Sequence, residues 1–162
     1  MSIPLLSTLI FLPVIGGLSL LAVPRQQTGT IRLMALIVSL IELALTLPLV
    51  LLFDKGTHAM QFREHHAWIS ALNINYSLGI DGISILFLLL TALIIVLSIL
   101  VSWESITDKV PEFFVAMLLL EGAMMGVFCA LDFFLFYVFW EAMLIPMFLI
   151  IGIWGGPNRI YA

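Results

Sequence analysis

Three carboxyl groups lie where carboxyl groups are costly. Glu141 sits within an apolar run from Phe133 to Ile153 whose only other ionisable group is the Tyr137 phenol. At about 1.5 Å per residue this run just crosses a hydrocarbon core of roughly 30 Å, which places Glu141 near mid-depth. Glu42 lies at the centre of a second apolar run and Glu121 near the middle of a third. An acid at that depth costs on the order of 2.5–3.5 kcal/mol on insertion scales, so such residues face protein or a wet cavity and read as functional by default. The chemistry they offer is proton relay, because a carboxyl group away from bulk water can both take and release a proton near neutral pH. Tyr137 is one turn before Glu141 on the same side of the helix, within reach of a hydrogen bond to it or to a water. Pro146 removes the backbone bond to the Ala142 carbonyl and leaves an acceptor next to Glu141. The competing reading is a buried structural acid. It is weaker for Glu141 and balanced for Glu121, and it leads for Glu42, which has no glycine face, aromatic hydroxyl or second acid nearby in sequence.

The elements that position these acids follow from composition. Of 162 residues, 63% are hydrophobic and only 10% charged, too little polar surface for a soluble globule, so the chain reads as a polytopic membrane protein. The net charge of -4 lies mostly in loops, and no basic cluster points to nucleic acid. A single cysteine, Cys129, excludes an internal disulfide framework and a cysteine metal site, and reads as a small packing residue. His58, His65 and His66 lack a partner spacing for a metal and read as solvated loop residues. The first apolar run starts almost at Met1 with no basic segment before it and no cleavage pattern after it, which predicts a permanent span rather than a removable signal.

The expected fold class is all-α, with five transmembrane spans over about Ile3–Val23, Ile31–Phe53, Ile83–Ser102, Phe113–Leu131 and Phe133–Ile153. Between spans 2 and 3 the polar segment 54–82 changes character. Ile74, Tyr76, Leu78 and Ile80 alternate with small or polar residues, and SALN before them could turn the chain, which predicts a short β-hairpin on the membrane face. Asp81 is placed to cap span 3. In span 4 Glu121 stands beside a Gly122-x-x-x-Gly126 pair that lets a neighbouring helix approach. Asp132 turns directly into span 5, so spans 4 and 5 form an antiparallel pair with Glu121 and Glu141 at similar depth and undetermined facing. With Met1 outside, the inner loops hold Arg25, Arg32, Lys109 and Arg159 and the outer ones Lys55 and Arg63. That bias favours an outside N-terminus, with Trp103 and Trp154 at inner ends and Trp68 near the outer face. No span carries a lysine, so any basic partner for Glu141 comes from elsewhere.

The segments YSLGIDGIS, LLLEGAMMGVFCALD and FYVFWEAMLIPMFLIIGIWGGPNRIYA resemble the M-type (chain 4) membrane subunits of proton-pumping NADH:quinone oxidoreductase, respiratory complex I. FWE-x-MLIPM is fairly specific to that group, whereas DGIS is shared with related antiporter-like subunits. The resemblance covers the whole chain and implies the N-terminal third of a longer subunit. Residues 1–112 would hold three N-terminal helices, and 113–162 the first two helices of an antiporter-like inverted repeat, truncated. It implies that Glu141 is a key proton-transfer residue, and it aligns Glu121, a second candidate for proton transfer, with a carboxylate of the fourth span in the M-type branch. It also implies that the family's lysines lie on later helices, and that this chain binds no cofactor, with NADH, FMN, iron–sulfur clusters and quinone held by partner subunits. Other membrane-arm subunits, lipid, water and protons are the expected partners, and the bacterial inner membrane the expected location. Alternatives are a subunit of a multisubunit cation/proton antiporter or membrane-bound hydrogenase, and a structural or assembly fragment that moves nothing.

Overall fold

A computed structural model describes residues 4–156. The order is α1 (Leu5–Leu20), α2 (Thr28–Leu52), β1 (Gln61–Ile69), β2 (Ile74–Ile80), α3 (Ser84–Ser105), α4 (Val110–Cys129) and α5 (Phe133–Trp154), with a 3-10 turn at Ser70–Leu72 between the strands. Among the described residues four helices, α2 to α5, are long and apolar enough to cross a membrane. The predicted first span is shorter than expected. Regular α-helix stops at Leu20, and Leu21, Ala22 and Val23 donate instead to carbonyls three residues back before Pro24 ends the run. Its predicted start, Ile3, lies outside the described residues, as does Arg159 of the predicted inner segments.

α4 is the central helix, buried along most of its length by α1, α2, α3 and α5. Two glycines of α4 let neighbouring helices come close. A Cβ on Gly122 would lie 2.6 Å from the Ile10 carbonyl oxygen of α1, and a Cβ on Gly126 would lie 2.4 Å from the Phe139 ring of α5. The small pair in α4 therefore serves two neighbours on different faces, where the spacing alone suggests one. α1 reciprocates with Gly17, whose Cβ would touch Leu118 Cβ at 3.3 Å. α5 is the outlier: it buries only Leu135 and Pro146, and its remaining faces are open or half-buried.

The hairpin forms as the alternation in β2 predicts, antiparallel, with His66 opposite Tyr76. Asn73 makes the turn in the left-handed region at φ 53°, a conformation asparagine tolerates better than most residues. β1, whose pattern is less regular, carries two register irregularities. The hairpin lies across one end of the helices and is tied to three of them. Glu64 accepts from the Leu6 and Ser7 amides at 2.8 and 3.2 Å, and so caps α1 in place of the missing local cap. Leu131 N donates to Ser77 O at 2.9 Å. Asp132 caps α5 by accepting from Phe134 and Leu135 amides, and its second oxygen accepts from Asn75 N of β2 at 3.1 Å. Asp81 caps α3, accepting from Ser84 N at 2.7 Å and Ile83 N at 3.1 Å.

The opposite end has its own ties. Arg25 pairs with Glu112 at 2.9 Å, Arg32 donates to the Ile106 carbonyl at 2.9 Å, and the Trp154 indole donates to the Asp108 carbonyl at 2.8 Å.

Candidate functional site

The structure sorts the three intramembrane acids into two places. Glu141 lies eight residues into α5 from Phe133, about 12 Å along the axis, and its side chain is exposed on the open face of that helix. Tyr137, half-exposed and one turn earlier, interacts with the Glu141 carboxyl group. An open, mainly apolar groove of about 420 Å³ begins at Glu141 and runs along Ala142, Leu144, Ile145, Phe148 and Leu149, away from the hairpin end. Glu141 thus sits beside an apolar groove on a helix that packs on one side only.

Glu121 is elsewhere. It lies eight residues before the end of α4, at the depth of Glu141, yet it points into the α1–α4 bundle and is fully buried. The expected antiparallel pair therefore forms without bringing its two acids together. Glu121 instead approaches Glu42 of α2, also fully buried, closely enough for their charges to interact. The sequence reading treats Glu42 as structural for want of local company, but its company comes from another helix. One signal was available. Ile31, Ala35, Ser39, Glu42, Thr46 and Leu49 share one face of α2 at spacings of three and four, and that face is the buried one.

Glu64 of β1 also reaches across to α1. Besides capping α1, its carboxylate accepts from the Ser7 hydroxyl, which is itself 2.8 Å from the Tyr76 hydroxyl. Burial pushes the Tyr76 phenol above the usual tyrosine range, against the Ser7 hydrogen bond that lowers it. The backbone N–H of Asn75 leads the hydrogen bonds that hold Asp132 below the usual carboxylate range. His65 and His66 stand exposed on β1 and His58 on the loop before it. Among the described residues no group of three or more His, Cys, Asp or Glu side chains could hold a metal.

Comparison with known proteins gives the chain its relatives. No protein-family model matches it. It is 46% identical over 154 residues to NADH-ubiquinone oxidoreductase chain 4 of Arabidopsis thaliana, covering 95% of this chain and 31% of the relative. It is 45% identical over 163 residues to NADH-quinone oxidoreductase subunit M of Rhodobacter capsulatus, with 98% and 31% covered. It is also 43% identical to F(420)H(2) dehydrogenase subunit M of Methanosarcina mazei, with 99% and 32% covered. Its fold matches a chain of respiratory complex I from Thermus thermophilus with a TM-score of 0.79 at 29% identity, covering 96% of this chain and 30% of that one. The chain spans about a third of the length of the curated relatives it matches. A multi-pass helical membrane fold and 45–46% identity in alignments that cover nearly the whole chain agree: the chain is a homologue of the subunit M/chain 4 group of NADH–quinone oxidoreductases.

Proposed function

We propose that the chain is part of a membrane-arm subunit of a proton-translocating NADH:quinone oxidoreductase, and that Glu141 carries a proton in that process. The observation that carries this reading is the placement of Glu141, an acid at mid-depth on the unpacked face of α5, beside Tyr137 and an apolar groove. Acids at such depth serve ion and proton pathways more often than packing. The lysines of this chain, Lys55 and Lys109, lie in connecting segments. A base that tunes Glu141 therefore arrives on a further helix or another subunit seated against α5. NADH, FMN, iron–sulfur clusters and quinone belong to partner subunits in this reading. Redox energy reaches the chain through the membrane arm.

The basic residues support an orientation. Arg25, Arg32 and Lys109 gather at the end opposite the hairpin, whereas Lys55 and Arg63 lie at the hairpin end. The positive-inside bias then puts the hairpin and the N-terminus outside, in a bacterial inner membrane. A second reading keeps the proton chemistry and changes the electron donor, and the likeness to an F(420)H(2) dehydrogenase subunit favours it.

The test is to purify the assembly from its native membrane, identify its subunits, and compare it with a Glu141→Gln form. NADH oxidation with flavin and iron–sulfur subunits, and proton translocation lost on substitution while assembly is kept, is the expected result. Normal translocation in Glu141→Gln overturns the role of the residue. An assembly without NADH-oxidising subunits overturns the choice of donor.

A further inference from the structure

Glu42 and Glu121 take no part in the site on α5, yet they are the most deeply buried acids in the chain. Both are 0% exposed, and none of their four carboxyl oxygens has a hydrogen-bond partner among the described residues. The helices around them bring no base. α1 has no ionisable side chain, and α3 has only Glu104, near its far end. On α4, Glu112 is committed to Arg25 at the end opposite the hairpin, and Cys129 lies toward the hairpin end. On α2, Arg32 is likewise at the far end, donating to Ile106 O. Two ionised carboxylates without a base cannot persist in such an interior, and each uncompensated charge would cost several kcal/mol. Two interacting carboxyl groups instead titrate as a unit, with a proton between them.

The polar groups that continue from the pair lie toward one end. Thr46, one turn beyond Glu42 toward the hairpin, is buried and donates to Leu43 O at 2.7 Å, which leaves its oxygen able to accept. Cys129, two turns beyond Glu121 in the same direction, is buried and interacts electrostatically with both Glu42 and Glu64. Beyond it stand the Tyr76 and Ser7 hydroxyls and the Glu64 carboxylate. In the other direction only Ser39 intervenes before an apolar plug that includes Ile31, Ile95, Ile99, Phe114 and Leu118.

We propose that Glu42 and Glu121 form a second proton-binding site, a carboxyl pair that shares one proton inside the α1–α4 bundle and exchanges it with the hairpin end past Thr46 and Cys129. One carboxyl group carries the proton and donates it through water to the other, which is ionised. Uptake of a second proton leaves both groups neutral, and its release restores the shared state. The site is independent of Glu141, which faces away from the bundle, and it stands or falls separately from the role of that residue.

The test is infrared difference spectroscopy on the full chain in lipid bilayers, across a pH titration and on transfer from H2O to D2O. A protonated-carboxyl band is expected that shifts on labelling with [13C]glutamate, weakens in both Glu42→Gln and Glu121→Gln, and is unchanged in Glu141→Gln. Each single substitution should also move the titration midpoint of the remaining carboxyl group, since its partner is gone. Thr46→Val should slow deuterium exchange of the band several-fold. Absence of a [13C]glutamate-sensitive band, or midpoints that stay in place when the partner is removed, overturns the shared site without reliance on the folding of any one variant. Unchanged exchange in Thr46→Val overturns the route.

Discussion

The interior of the α1–α4 bundle and the outer face of α5 hold carboxyl groups at the same depth in opposite surroundings. Glu121 is enclosed within that bundle, close to a second buried acid, Glu42. Glu141 stands on a helix that buries two residues in all. Depth alone sets the cost of a charge relative to water, and that cost is similar for both. Packing decides who must meet it. The interior pair has to be satisfied within this chain, by protons and water, whereas Glu141 is left for whatever covers α5.

The bundle side of the comparison breaks most readily at Gly122. Replacement by leucine would drive a side chain into the backbone of α1 at Ile10, where a single Cβ already falls at 2.6 Å. Backbone cannot swing aside, so the expected loss is at the upper end of the roughly 1–3 kcal/mol typical of overpacking, or beyond it. Thermal unfolding of the purified chain in detergent reads the loss. Gly126→Ala presses instead on the Phe139 ring, and should loosen α5 while α1 keeps its seat. Cysteine cross-links placed between α1 and α4, and between α4 and α5, separate the two outcomes; equal loosening of both pairs would refute the division of labour between the glycines.

The interior acids should show the reverse sign. Replacing Glu42 and Glu121 together by methionine removes four buried oxygens at little change in volume. Burying polar groups without full compensation costs about 1–3 kcal/mol, and apolar replacement of buried ionisable clusters is often stabilising by a similar amount. A higher melting temperature together with loss of the protonated-carboxyl band would mean that the bundle keeps these acids for chemistry at the expense of stability. A lower melting temperature would show instead that they hold the helices together.

How much of this was legible in sequence depends on which physical signal each feature left. Depth was readable, because run length against bilayer thickness places Glu141 and Glu121 without knowledge of packing. β2 was readable from its period of two and Asp81 from its position before an apolar run. Facing was not. α5 is apolar on every side, so no stripe distinguishes its buried face from its open one. Glu42 was judged by its neighbours in sequence, while the neighbour that matters, Glu121, is 79 positions away. Glu64 as a cap for α1 is the same case, 57 and 58 positions from the amides it serves.

At the hairpin end, where both regions are anchored, effects should be smaller and pH-dependent. Asp81→Ala removes two hydrogen bonds donated by backbone amides at the start of α3 and should cost about 1 kcal/mol, as for other helix caps. Hydrogen bonds led by that from Ser84 N hold the Asp81 carboxyl below its usual range, and Asp132 is lowered likewise by the amide of Asn75. A lowered carboxyl value means that the folded state binds its proton less readily than the unfolded chain. The stabilisation is therefore complete above the ordinary carboxylate range and fades as pH falls through the folded values. Melting temperature measured down an acid series should drop for the unsubstituted chain and drop less for Asp81→Asn; parallel curves would remove these caps from the acid response.

The smallest effect on folding should come from the residue with the largest proposed role. Glu141→Gln alters an exposed side chain beside Tyr137 and an open groove, so the stability of the chain by itself should stay within about 0.5 kcal/mol of the original. That near-silence makes the substitution informative. Because α5 presents Glu141 outward, a defect that appears only in the assembled complex can be assigned to what the carboxyl group does against its neighbour rather than to damage within the five helices. Unfolding measured on the isolated chain and proton translocation measured on the assembly should thus diverge for Glu141→Gln. For Glu42 and Glu121 the substitutions should already register in the isolated chain. If Glu141→Gln destabilises the isolated chain as strongly as a change in the bundle interior does, the open face of α5 is not open in solution, and the contrast between the two regions fails at its origin.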